Sequence, residues 1–193
     1  VSVPLAAEAL PPHLAQVAER LRQVTVEVFS ASGGGAGILW APDRVLTNAH
    51  VVRAAGVGVR LADDRRLDAR VIAADPRADL ALLGVPRSGL TPAVVADSET
   101  LRVGAIVIAL GHPLGLRRTL TAGVVHALAP APAGGRRWIQ ADLRLAPGNS
   151  GGPLADTGGA IVGVNTMIAG HLALAIPSND ARRFVAAALA VRR

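Results

Sequence analysis

Three segments far apart in this chain make chemical sense only together, and that requirement constrains the fold more than any local pattern. Thr47-Asn48-Ala49-His50-Val51-Val52 carries an imidazole, Asp79-Leu80-Ala81-Leu82-Leu83 a carboxylate, and Gly148-Asn149-Ser150-Gly151-Gly152-Pro153-Leu154 a hydroxyl set among glycines. A serine hydroxyl is a poor nucleophile at neutral pH and needs a neighbouring base to take its proton. Histidine suits that role, and a carboxylate on its far ring nitrogen fixes the tautomer and stabilises the imidazolium. The backbone N–H groups of Gly148 and Ser150 are natural donors to an oxygen that turns negative during attack on a carbonyl. If His50 and Asp79 sit on one folded unit and Ser150 on another, the site lies in the cleft between them. Asp75 competes for the acid role, but it precedes Pro76 and reads as a turn residue, whereas Asp79 directly precedes an apolar strand.

The rest of the chain must supply a scaffold for that convergence. Hydrophobic residues make up 51% of the sequence and aromatics only 2%, so the core is aliphatic, which favours strands buried on both faces. Pro11-Pro12 followed by Leu14, Val17, Ala18 and Leu21 predicts a short amphipathic helix. Short strands are expected at Val24–Phe29, Gly37–Trp40, Arg44–Thr47, Val57–Leu61, Leu67–Ala74 and Leu80–Val85, with Gly33-Gly34-Gly35 as a loop. Residues 86–100 read as a linker. A second set is expected at Ala105–Leu110, Thr119–Leu128, Trp138–Ala141, Ala160–Thr166 and Leu172–Ile176, with Pro130–Gly135 as a loop. Ser178-Asn179-Asp180 caps a final helix running to about Val191.

Composition removes several functions. All 20 basic residues are Arg and the net charge is +6, but no basic run exceeds two and aromatic residues that could stack on bases make up only 2% of the chain. A solvated basic surface is expected, not a nucleic-acid site. There is no Cys, which permits the cytosol or a bacterial envelope compartment and argues against a disulfide-rich secreted domain. The longest apolar runs, such as Ala105–Leu110, are too short to span a bilayer, so no stable membrane insertion is expected. No ligand spacing for a metal is present, and no cofactor is expected. Of the other histidines, His13 lies on the polar side of the first helix, His112 sits in a Gly-His-Pro turn, His126 ends a strand, and His171 precedes the strand Leu172–Ile176.

These segments together resemble the HtrA (Do/Deg) group of trypsin-like serine proteases. Gly37-Ile38-Leu39 with Val45–Val52 resembles the group's histidine region, Asp75–Leu83 its aspartate region, and Pro147–Leu154 its nucleophile loop. Gly111–Leu116 with Thr119–Val125 resembles the strand pair before that loop, and Ala175–Asn179 the segment closing the second barrel. The resemblance covers about residues 24–190. It implies an all-β fold of two perpendicular six-stranded β-barrels with a short N-terminal helix and a C-terminal helix. The implied organisation is a helical segment over residues 1–23, a first barrel over 24–92, a second over 93–177 and a helix over 178–193. It implies endopeptidase activity, with His50 as general base, Asp79 as its orienter, Ser150 as nucleophile, and Gly148, Asn149 and Ser150 as the oxyanion loop. It also implies a polypeptide substrate, a role in protein quality control, a trimer, and an extracytoplasmic place in a bacterial envelope. No PDZ segment follows within these residues, and the N-terminal segment lacks the aromatics that often clamp HtrA trimers.

In a trypsin-like fold an acidic residue six positions before the serine selects basic side chains at P1. That position is Arg144 here, which argues against cleavage after Lys or Arg. Leu145 and the strand Leu172-Ala173-Leu174 are expected to offer an apolar wall, and by resemblance that strand pairs with substrate backbone. A small or medium aliphatic P1 residue, Val, Ala or Leu, is expected. Two other readings stay open: a protease-like module that holds peptides without turnover, and an esterase or amidase using the same three residues.

Overall fold

The computed structural model describes residues 13–31, 33–53, 56–112, 119–130 and 137–190. It opens on helix α1 (His13–Val24) and ends on helix α2 (Ser178–Ala190). Between them run strands β1 (Thr25–Ser30), β2 (Gly33–Ala41), β3 (Arg44–Thr47), β4 (Gly58–Arg60), β5 (Arg66–Asp68), β6 (Arg70–Asp75) and β7 (Leu80–Gly84). The second set is β8 (Ile106–Gly111), β9 (Thr119–Pro130), β10 (Arg137–Asp142), β11 (Pro153–Ala155), β12 (Ile161–Ala169) and β13 (Leu172–Pro177). The expected prolines at 11–12 and most of the expected loop at 130–135 lie outside the described residues.

The second set closes into a six-stranded barrel in the order β10-β13-β12-β11-β8-β9. The first forms a seven-stranded sheet, β5-β4-β1-β2-β3-β7-β6. Its two edge strands are successive halves of one extended run, residues 66–75, broken only at Ala69. One run therefore pairs with β4 at one end and β7 at the other, and the sheet curls into a barrel whose sixth stave is bent. The Ala69 N–H, taken out of the ladder by the bend, donates to Val57 O at 2.9 Å.

Burial on both faces organises the interior. Along β2, Ile38 and Leu39 are both fully buried but belong to different clusters. The same division separates Leu46 from Val45 on β3, and Leu80 and Leu82 from Ala81 and Leu83 on β7. Successive strand residues point to opposite faces. One face fills the first barrel with Val26, Val28, Leu39, Val45 and Val59. The other meets Ile108, Leu110, Ile161, Val164 and Ile176 of the second barrel, with Val17 and Leu21 of α1 and Ala181 and Val185 of α2. Each fully buried Leu or Ile contributes about 1.5–3 kcal/mol relative to exposure.

One loop expectation is corrected, and the expected linker at 86–100 joins the two strand sets while bonded to both. Gly33-Gly34-Gly35 is not a loop but the start of β2, paired with Ser30, Phe29 and Val28 of β1. Close approach explains the glycine at 35: a Cβ there would lie 2.6 Å from Ser150 O. The neighbouring Ala36 N–H donates to that same carbonyl at 2.8 Å, tying the first barrel to the serine loop. Residues 86–100 are likewise fastened. Ala93 N–H donates to Leu39 O of the first barrel, while Ile161 N–H of the second donates to Val94 O and Ala96 N–H donates back to Ile161 O. The three-residue β11 was not expected, because it follows the serine loop without a turn signal between them.

Candidate active site

His50 lies on a 3₁₀ turn, Ala49–Val52, directly after β3, and Asp79 lies at the entry to β7, the strand paired with β3. The register Thr47↔Ala81 brings the two residues together. His50 Nδ1 is 2.9 Å from Asp79 Oδ2 and 3.0 Å from Oδ1, and the His50 backbone N–H donates to Oδ1 at 3.1 Å. Asp75 takes the turn role expected of it, its Oδ1 accepting from the N–H groups of Arg77 and Ala78.

A fourth side chain completes the carboxylate's surroundings. Thr166, buried on β12, donates its hydroxyl to Asp79 Oδ2 at 2.5 Å across the two barrels. Burial pushes the Asp79 carboxyl up, but hydrogen bonds from the His50 ring, the Thr166 hydroxyl and the His50 N–H outweigh it and hold the group below its ordinary value. Asp79 is thus kept as an anion facing the imidazole. Sequence reasoning placed Thr166 only at a strand end. The available signal was two adjacent polar residues, Asn165-Thr166, closing a wholly apolar run.

Ser150 sits at the mouth of the second barrel. Its hydroxyl donates to Thr166 O at 3.0 Å, and among the described residues no hydrogen bond joins it to the His50 ring. The loop before it is a tight turn: Asn149 N–H donates to Ala146 O at 3.0 Å, with Pro147 and Gly148 as central residues and φ +105° at Gly148. This is the type II pattern, which needs glycine at its second central position. Gly148 O accepts from His112 N–H, and Gly151 N–H donates to Asn165 O, so the loop is anchored on both sides of the serine. The N–H groups of Gly148 and Ser150 have no partner among the described residues, whereas Asn149 spends its N–H on the turn.

Beside Ser150 lies a cleft of about 250 Å³ lined by Leu145, Ala146, Pro147, Asn149, Thr166, Met167 and Ile168. Leu145 lines this cleft, and the exposed Arg144 does not. Leu172, Ala173 and Leu174 do not line it either. Ala173 and Leu174 pair with β10 on one side and β12 on the other, which leaves that backbone no open edge for a further strand. The strand bordering the cleft is β12. Its pairing with β11 ends at Val164, so beyond Thr166 its one strand partner among the described residues is β13. His126 lies within β9 and His171 in the exposed turn before β13, and neither lines the cleft. No group of three His, Cys, Asp or Glu among the described residues could hold a metal.

The two-barrel fold, with a paired imidazole and carboxylate on one barrel and a serine loop on the other, defines a trypsin-like peptidase domain. The chain belongs to that family, whose pattern its residues 35–164 match. The HtrA-type resemblance is borne out by its relatives. The chain is 41% identical over 162 residues to the periplasmic serine endoprotease DegP of Salmonella typhimurium, covering 78% of this chain and 34% of that protein. It is 39% identical over 165 residues to the periplasmic pH-dependent serine endoprotease DegQ of Escherichia coli, covering 80% and 36%. A variant of the HtrA-type protease AlgW, solved with a tripeptide, superposes with a TM-score of 0.82 at 28% identity, covering 88% of this chain and 61% of that one. The chain therefore spans about a third of the length of these curated relatives.

Proposed function

We propose that this chain is a serine endopeptidase acting on unfolded or exposed polypeptide through an acyl-enzyme. One observation carries the reading: hydrogen bonds run from His50 through Asp79 and Thr166 to Ser150, beside the N–H groups of Gly148 and Ser150, which have no partner among the described residues. Ser150 Oγ leaves the Thr166 carbonyl, passes its proton to the free nitrogen of His50 and bonds to the substrate carbonyl carbon. Asp79 stabilises the imidazolium that results. Gly148 and Ser150 N–H receive the oxyanion, and collapse expels the amine with the proton from His50. Water, activated by the same imidazole, then releases the acid. Residues 24–92 and 93–177 act as the two halves of this one unit, flanked by 1–23 and 178–193.

The cleft lined by Leu145, Ala146, Pro147, Met167 and Ile168 holds no charged side chain, which favours a small or medium aliphatic P1 residue. The one-sided backbone of β12 from Met167 to Ala169 is the edge on which an extended substrate adds a strand. A tripeptide in the related AlgW structure supports a peptide ligand. The periplasmic relatives support an extracytoplasmic place, and a role in protein quality control is carried by the HtrA-type resemblance alone. No helix among the described residues is long and apolar enough to cross a membrane.

Digestion of casein, with mass spectrometry of the cut sites and fluorophosphonate labelling beside Ser150→Ala, tests the reading. Cuts and labelling lost in Ser150→Ala are expected. A wild-type chain that binds peptide but is neither labelled nor active would instead be a peptide-holding module.

A further inference from the structure

Asn48 is completely buried between the two residues that must stay aligned, yet its side chain does not do what a residue in its position ordinarily does. It is the N-cap of the 3₁₀ turn carrying His50, and an Asn there usually accepts from a backbone N–H of the turn's first residues. No such bond is made. Instead Asn48 Nδ2 donates to the backbone carbonyl of Asp79 at 2.8 Å. The N–H that Asn48 leaves open, that of His50, is taken by the Asp79 carboxylate. The two segments thus exchange partners: the side chain before His50 holds the backbone of Asp79, and the side chain of Asp79 holds the backbone of His50.

The carbonyl so held belongs to a residue in an unusual conformation. Asp79 has φ +49°, in the left-handed region, a conformation shared among the described non-glycine residues only with Asp64. L-residues visit that region at a cost and stay there only when their surroundings fix them. Asn48 Oδ1, meanwhile, is buried with no hydrogen-bond partner among the described residues. An orphaned amide oxygen is a penalty that an apolar side chain of the same size would avoid. Packing alone would therefore favour such a side chain, and what the amide adds is the donor aimed at Asp79.

We propose that Asn48 is a positioning residue, whose amide fixes the left-handed backbone of Asp79 and so aims the carboxylate at His50. The inference rests on the protease reading for its effect on rate, but not for its geometry. Asn48→Leu keeps the volume and removes the donor. Its turnover number on a peptide substrate and its fluorophosphonate labelling rate are expected to fall at least about tenfold, since displacement of a catalytic group by about an ångström costs up to about a hundredfold. KM stays within about twofold, because Asn48 does not line the cleft. The low-field proton resonance of the His50–Asp79 hydrogen bond shifts or disappears. Val59→Ala, a fully buried change inside the first barrel, lowers stability without moving that resonance. If Asn48→Leu does not fold, Asn48→Ala, which also removes the donor without adding bulk, supplies the same readings. Turnover and resonance unchanged in a folded variant, or failure of both variants to fold, overturns the proposal. Wild-type protein with the resonance but without labelling or turnover removes the protease reading and leaves the clamp intact.

Discussion

The hydroxyl of Ser150 donates to the backbone carbonyl of Thr166 at 3.0 Å, while the hydroxyl of the same Thr166 donates to Asp79. Both Ser150 and Asp79 are therefore held by one β12 residue, which crosses from the second barrel to reach the first. Thr166→Val removes the side-chain donor and keeps the carbonyl. The turnover number is expected to fall by about tenfold, equivalent to about 1.4 kcal/mol, with Ser150 still accessible to fluorophosphonate. Full wild-type turnover in a folded Thr166→Val protein would show that the bond to Asp79 has no part in the reaction.

Asp79 also links the site to acid stability. Its folded-state value lies below the ordinary 3.8, so the unfolded chain takes up this proton first as pH falls. The stabilisation is fully present above about pH 4 and is lost as pH drops through the folded-state value. Asp79→Asn should flatten the acid limb of a plot of Tm against pH, and turnover should fall about 10⁴-fold through loss of the correct tautomer. Asp63 and Asp97 are held low as well, so the readout is the difference between variant and wild type. Parallel acid limbs would contradict the linkage.

The serine loop depends on a left-handed glycine. Gly148→Ala places a Cβ at φ +105° and turns a proposed oxyanion donor away from its direction. A loss of about 10² to 10³ in turnover is expected, with little change in KM, measured on a short peptide substrate. A near-normal rate would place the oxyanion donors elsewhere.

Gly35 tests the contact between barrels. Gly35→Ala sets a methyl 2.6 Å from Ser150 O, where the Ala36 N–H bond holds the loop. Thermal unfolding should register a destabilisation of about 1–3 kcal/mol, and labelling of Ser150 should slow. Unchanged Tm and labelling would mean that the loop yields there at no cost.

The cleft sets the expected cut sites. Mass spectrometry of digested casein should place Val, Ala or Leu at P1. Enrichment of Arg at P1 would show that the apolar lining from Leu145 to Ile168 does not hold the P1 side chain.

Much of this was legible in the chain because the informative residues are local. Alternating aliphatic runs marked most strands within a residue or two, with β2, β11 and β12 the exceptions, and Pro76 together with the apolar strand after Asp79 separated Asp75 from Asp79. What could not be read was pairing. Gly33–Gly35 looks like a loop until β1 is known to lie beside it, since absent side chains mark equally a turn and a crowded strand. Leu172–Leu174 was expected by resemblance to pair with substrate, and no sequence pattern reports that Ala173 and Leu174 are already paired on both sides. Thr166 and Asn48 escaped because both bond to Asp79, 87 and 31 positions away along the chain.

The aliphatic cluster joining α1, both barrels and α2 has a mechanical consequence. Neither half keeps a finished surface of its own on that side, so the halves cannot swing apart without wetting Leu46, Leu82, Ile108 and Leu110 together. Substrates of different girth must then be accommodated by the rim, and heating should melt the molecule cooperatively, with no half left standing.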